Sequence, residues 1–269
     1  MGGFTRFLKK GGQYNFSGIM AARKVSVREQ DIPGLFSFEN ELFYGNFILS
    51  LTTERRIVLK VLGFNGSAKK KGNTAGCLNT VFGELEKAGI ETEMIHVGKE
   101  KIRGCIACFG CVKNQDQACT ITDDPVNEWI QKIIQADGIL IGSPVYFSGV
   151  AGTMKSFLDR AFFVSSVNGQ LFRHKVGAAV AAVRRSGGLP TVDTLNHYIN
   201  YSEMIMPSSN YWNVAHGLNP GEMEQDGEGK QIMEILGRNM AWIMKVIEHG
   251  KEQFPAPEQV AKTMTNFIR

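Results

Sequence analysis

The run Ile57-Val58-Leu59-Lys60-Val61-Leu62-Gly63-Phe64 is almost continuously apolar, and it constrains the fold more than any other stretch. A strand buried on one face alternates apolar with polar residues. One buried on both faces reads as an unbroken apolar run and belongs in the middle of a parallel sheet. The pattern recurs along the chain. Glu93-Met94-Ile95-His96-Val97, Gly138-Ile139-Leu140-Ile141-Gly142 and Val176 to Val183 read as further strands, with a fifth near Ile205. Helical spacing separates them: Leu78, Val81, Phe82 and Leu85, then Val126, Trp129, Ile130, Ile133 and Ile134 behind an Asp123-Asp124-Pro125 start signal. Further helices are predicted over Gly152–Phe163, Thr191–Tyr198 and Gly229–His249. Five strands alternating with helices predict an α/β fold, a doubly wound five-stranded parallel sheet in the order 2-1-3-4-5. Ligands of such a sheet sit at the strand carboxyl ends, near strands 1 and 3.

The unusual loops fall at those ends. After strand 1, Asn65-Gly66-Ser67-Ala68-Lys69-Lys70-Lys71-Gly72-Asn73-Thr74 leads into a helix. Loop amides and the helix dipole favour an anion there, and Ser67, Asn73 and Thr74 add side-chain donors. It is neither a Walker loop nor a dinucleotide fingerprint. An ordinary capped turn is the plainer alternative. After strand 3 come Pro144, Val145, Tyr146 and Phe147, suited to lie along a flat heterocycle, although Tyr146 taken alone also reads as a core aromatic. After strand 4, Ser186, Gly187 and Gly188 let the backbone approach closely. Together these loops point to a flat phosphorylated ligand.

After strand 2 comes the cysteine window. Cys105, Cys108, Cys111 and Cys119 are four of the five cysteines in the chain. Four converging thiolates suit an iron–sulfur cube or a tetrahedral zinc. Two disulfides, or thiols holding nothing, are the alternatives, and the missing secretory signal argues against disulfides. Cys77, inside the first helix, reads as a small buried apolar residue. The five histidines show no metal-ligand spacing and read as ordinary.

Composition closes off other classes. The net charge is +4 over 269 residues, and basic residues are not interleaved with aromatics, so nucleic acid is not expected as a partner. No apolar run is long enough to span a membrane. Residues 1–54 differ from the rest: up to Arg28 they hold basic residues and no acid, broken by glycines and followed by aromatics. We read 1–54 as an N-terminal arm, 55–250 as the α/β domain with its cysteine loop at 105–119, and 251–269 as a C-terminal tail. A cytoplasmic protein is expected, with an organelle-matrix presequence as the alternative reading of the basic end.

Asn65-Gly66-Ser67 with Asn73-Thr74, Ser143-Pro144-Val145-Tyr146, and Met154-Lys155-Ser156-Phe157-Leu158-Asp159-Arg160 together resemble the NADPH-dependent FMN reductase superfamily, which is flavodoxin-like. The Cys-x2-Cys-x2-Cys run with a fourth cysteine after a gap of seven residues resembles its iron–sulfur flavoprotein branch. The resemblance covers about residues 60–249. It implies FMN, with the phosphate at Ser67, Lys69, Asn73 and Thr74 and the isoalloxazine against Pro144, Val145, Tyr146 and Phe147. Ser186, Gly187 and Gly188 would follow the other edge of the ring. It also implies a [4Fe–4S] cluster on Cys105, Cys108, Cys111 and Cys119, and a homodimer or homotetramer. The expected activity passes electrons from NAD(P)H, or from a reduced carrier such as ferredoxin, to a small-molecule acceptor. The cofactors carry that chemistry and no side chain serves as nucleophile. A cluster-free NAD(P)H:quinone or FMN reductase, a flavodoxin-type carrier and a thiol or zinc redox sensor are the competing readings.

Overall fold

The computed structural model of the protein describes residues 58–268. Before them it describes the strands Arg6–Lys10, Gln13–Ser17, Val25–Arg28, Leu35–Phe38, Glu41–Tyr44 and Phe47–Ser50. These six strands form two separate three-stranded antiparallel sheets, and the chain divides into two units between Ile57 and Val58. The remaining residues of 1–57 lie outside the described residues.

The larger unit contains a sheet with five parallel strands, β1 (Lys60–Asn65), β2 (Glu91–His96), β3 (Gly138–Tyr146), β4 (Val176–Val183) and β5 (Val214–His216), and a two-residue strand, Gly149–Val150, antiparallel to β3. Their spatial order is 2-1-3-4-5, as expected. β1 pairs with β2 through Val61 and Thr92 and with β3 through Val61 and Gly138. All of β4 is buried, as is β1 from Val61 onward, which is why both read as continuous apolar runs. β2, at the sheet edge, is mostly half-exposed.

Five helices cover the two faces. On one side lie α1 (Asn73–Lys87) and α6 (Gly227–Gly250), packing Leu78, Val81, Leu236 and Met240 against the sheet. On the other lie α3 (Val126–Gln135), α4 (Gly152–Val167) and α5 (Gly188–Tyr201). There Phe64 stacks on Phe157 with ring centroids 4.9 Å apart, and Trp129 meets Phe157 edge-on at 5.3 Å. The short α2 (Gly110–Asn114) was not expected and lies inside the cysteine window. No helix among the described residues is long and apolar enough to cross a membrane.

The fifth strand departs from the expectation. Ile205 makes a single parallel bridge to Val176, its N–H donating to Lys175 O at 2.9 Å. The paired segment comes later, where Val214, Ala215 and His216 lie beside Ala181, Ala182 and Val183. Pro207 explains the break: it has no N–H to give the ladder, and the polar Ser208-Ser209-Asn210 beyond it loops away before the edge resumes. After α6 the chain runs on without helix or strand from residue 255, held in part by Arg173 Nη1 donating to Pro257 O at 3.0 Å.

Helices α1 and α6 approach closely at Gly237. A Cβ there would stand 2.7 Å from Val81 O and 2.8 Å from Glu84 Cβ. Gly237→Val is expected to destabilise the domain by about 1–3 kcal/mol, the usual cost of overpacking, read as a lowered thermal unfolding midpoint. An unchanged midpoint would contradict this packing.

Candidate functional site

At the carboxyl end of β1 the chain folds back through side chain–backbone bonds. Asn65, buried, accepts from Ser67 N at 3.0 Å, and Ser67 Oγ accepts from Lys69 N at 3.2 Å. Gly66 N donates to Gly142 O at 2.8 Å, tying this loop to β3. His96, at the end of β2, donates from Nε2 to Ser67 O at 2.7 Å. Gly98 lies so close to that loop that a Cβ would fall 2.3 Å from the Ser67 carbonyl. Neither His96 nor Gly98 was singled out by sequence, since neither carries a spacing signal.

The loop delivers the N-terminus of α1. Its cap residue, Gly72, is extended, no side chain caps the helix, and the first turn holds no acid. The N–H groups that open a helix lack intrahelical acceptors and carry the positive end of the dipole. Asn73, Thr74 and Ala75 therefore present donors that suit an anion. Thr74 is buried, whereas Lys69 is exposed. Asn73 Oδ1 accepts from Gly221 N at 3.0 Å and Met223 N at 3.3 Å, so the turn-rich 219–223 segment is fastened to the same helix end.

The loop after β3 is a tight hairpin in which Tyr146 pairs with Gly149. Its central residues, Phe147 and Ser148, both have positive φ, 49° and 58°. Two positive φ values match the right-handed twist of a hairpin at some steric cost to residues with a Cβ. Tyr146 is 51% exposed and Phe147 fully exposed, so neither is a core aromatic. Ser143 braces the hairpin, its Oγ accepting from Ala151 N at 3.0 Å. Gly187 has φ 91°, and a Cβ on it would lie 2.8 Å from both Ser148 Cα and Val145 Cγ1, so the loops after β3 and β4 meet there. Ser186 is exposed beside it, while Gly188 is buried against Val214 and opens α5.

The cysteine window lies beyond β2. Left-handed residues turn the chain at Ala107, Phe109, Gln115 and Gln117. Cys105, Cys108, Cys111 and Cys119 all line one cavity, and all five cysteines are free thiols. Asn127 grips Cys119 by both backbone groups, each bond 2.8 Å. Asn168 Nδ2 donates to Cys111 O at 3.3 Å, and its Oδ1 accepts from Gln117 N at 3.0 Å. Thr120 Oγ1 lies 3.2 Å from Cys108 Sγ, a bond that holds the Cys108 thiol below its usual range. Burial, then the neighbouring Cys119, pushes the Cys111 thiol up.

The cavity walls are otherwise apolar, from Ile106, Phe109, Phe163 and Val164, apart from Thr120 and the buried Arg160. Arg160 Nη1 donates to Asp124 and to Arg103 O at 3.2 Å, and Nη2 to Ile121 O at 3.0 Å. Burial works against its charge, but Asp124 and Cys119 keep it above the usual arginine range. Among the described residues no three His, Cys, Asp or Glu side chains gather tightly enough to hold a metal ion.

With this geometry in view, residues 59–219 match the family NADPH-dependent FMN reductase. The chain belongs to that family. An iron–sulfur flavoprotein of Methanocaldococcus jannaschii is 34% identical over 197 residues, covering 71% of this chain and 100% of that protein. An iron–sulfur flavoprotein of Methanosarcina thermophila is 26% identical over 197 residues, 72% of this chain and 100% of its own. These relatives place the chain in the iron–sulfur flavoprotein branch of the FMN reductases, and it is a flavin-dependent oxidoreductase. Among solved structures, RosB superposes with a TM-score of 0.56 at 15% identity, covering 79% of this chain and 93% of that one. The NAD(P)H:quinone oxidoreductase of Methanothermobacter marburgensis gives 0.53 at 14%, covering 68% and 96%. These two likenesses concern the fold alone.

The thiols of this FMN reductase are expected to differ sharply in reactivity. Cys108 is exposed with a lowered pKa, whereas burial pushes Cys77 up to about 12. Because the thiolate is the nucleophile, iodoacetamide at neutral pH is expected to label Cys108 well before Cys77, followed by peptide mass spectrometry. Equal labelling of the two in folded protein would contradict the structure.

Proposed function

We propose that this FMN reductase carries FMN and one [4Fe–4S] cluster, and passes electrons from NAD(P)H or a reduced carrier such as ferredoxin to a small acceptor. The observation that carries the reading is the shared cavity lined by Cys105, Cys108, Cys111 and Cys119. A single zinc would need its thiolates about 3.8 Å apart, the edge of a tetrahedron with 2.3 Å bonds. No group of three such ligands placed for a single metal ion exists among the described residues, whereas four thiols around one cavity are the ligand set of a cube.

The phosphate of FMN fits the uncapped start of α1. There the amides of Asn73, Thr74 and Ala75 would hold it with the side chains of Ser67 and Thr74, and with Lys69 supplying charge. The Oδ1 of Asn73 is already occupied by the 221–223 segment, so its Nδ2 is the atom left to donate. Pro144, Val145, Tyr146 and Phe147 would back the ring, with Ser186 and Gly187 at its edge. Gly188, packed on Val214, supports that loop from behind. The exposed Tyr146 and Phe147 also leave apolar surface for a second copy of the chain, in keeping with a homodimer or homotetramer. Bound FMN would supply two-electron exchange with a nicotinamide, and a cluster one-electron steps. The protein would orient these groups and aim backbone donors at them.

Anaerobic purification tests the reading directly. The protein is expected to hold FMN together with about four irons and four acid-labile sulfides per chain. Replacing any one of Cys105, Cys108, Cys111 or Cys119 by Ser should lower the iron content, while Cys77→Ser should not. Near-zero iron after reconstitution would leave a flavin reductase with free thiols.

The phosphate site has its own test. Asn73→Ala with Thr74→Ala is expected to weaken FMN retention, since hydrogen bonds to a charged group contribute about 1.5–3 kcal/mol each. Unaltered affinity in a flavin titration would move the phosphate elsewhere.

A further inference from the structure

Arg160 is the one charged residue lining the cysteine cavity. Its side chain is 0% exposed and that of Asp124 3%, so the ion pair is removed from water. Both Nη atoms are committed to Asp124 and to the carbonyls of Arg103 and Ile121, but Nε has no hydrogen-bond partner among the described residues. A buried N–H left without an acceptor is costly. The bonds to Arg103 and Ile121 also hold the guanidinium two residues from Cys105 on one side and two from Cys119 on the other. Its motif, Met154 to Arg160, is assigned no part in the flavin site above, and an ordinary helix-surface arginine would be expected in water.

We propose that Arg160 is a positioning residue that sets the reduction potential of the cysteine-held iron site, with Asp124 acting in the opposite direction. The proposal rests on the cluster reading. Four thiolates make that site anionic, and an added electron makes it more so. A guanidinium stays protonated at all working pH values, so its charge is a fixed feature of the cavity. In a poorly screened interior that charge favours the reduced state, and the carboxylate behind it partly cancels the effect. With the cluster bound, the electron it takes would come from reduced flavin, and Arg160, protonated throughout, would supply charge and neither give nor take a proton. A merely structural arginine would affect folding and iron retention but would leave no signed effect on potential.

The test is a redox titration of anaerobically purified holoprotein followed by electron paramagnetic resonance, with iron measured on each sample. Arg160→Gln is expected to lower the midpoint potential and Arg160→Lys to stay near the wild-type value. Asp124→Asn, which leaves the guanidinium unopposed, is expected to raise it. Iron-replete variants that all share the wild-type midpoint, or Arg160→Gln and Asp124→Asn shifting in the same direction, would overturn the proposal. If Arg160→Gln does not fold, the upward shift of Asp124→Asn decides, and its absence overturns the role. Wild-type protein without iron after reconstitution overturns the cluster reading and this role with it. Iron present with unmoved potentials overturns this role alone.

Discussion

The Arg160–Asp124 ion pair is what seats the cysteine segment on the domain. Between β2 and α3 the chain leaves the sheet for some thirty residues, mostly without regular structure, and such a segment has little core of its own to hold it. Arg160, projecting from α4, donates to Arg103 before the first of the four cysteines and to Ile121 after the last, while Asp124 starts α3 by accepting from Val126 N at 3.2 Å. A buried ion pair is a poor source of net stability, yet removing one partner costs about 3–5 kcal/mol because the other charge is stranded. The pair therefore specifies position more than it adds stability. Asn127 and Asn168 extend the same arrangement, each holding backbone of a cysteine in place.

The sheet brings the end of β2, from which this segment leaves, to the same edge as the loops proposed to hold the flavin. In a parallel doubly wound sheet every strand ends at the same edge, so the loops after β1, β2, β3 and β4 emerge together whatever their separation in sequence. The bond from Gly66 N to Gly142 O ties the β1 loop to strand β3, His96 joins the β2 end to Ser67, and Gly187 brings the β4 loop against Ser148 of the β3 loop. These three contacts turn four separate turns into one surface. The N-terminus of α1, left without a side-chain cap, is a polar feature of that surface suited to an outside anion.

Much of this was legible in the sequence because burial on two faces writes itself as continuous apolar runs, and a cysteine cluster has few readings. The strand order followed from the alternation of elements, and the loops followed from the strand order. Other features were not legible, for physical reasons. The edge strand is split by Pro207, so its two halves are too short to show a pattern. Gly188 serves helix packing, which a glycine signal cannot distinguish from close approach to a ligand. Asn65, His96 and Gly98 act through contacts distant in sequence, without motif spacing. Arg160 was visible as part of a family motif, but its burial against the cysteine wall depends on how α4 lies across the fold.

The central claim, that four cysteines hold an iron cube at the flavin edge of the sheet, is tested most directly by diffraction from anaerobically grown crystals on both sides of the iron absorption edge. An iron-specific anomalous peak is expected, enclosed by Cys105, Cys108, Cys111 and Cys119, with flavin density over Pro144 to Phe147. No iron peak in that cavity, or a peak at the zinc edge in its place, would contradict it.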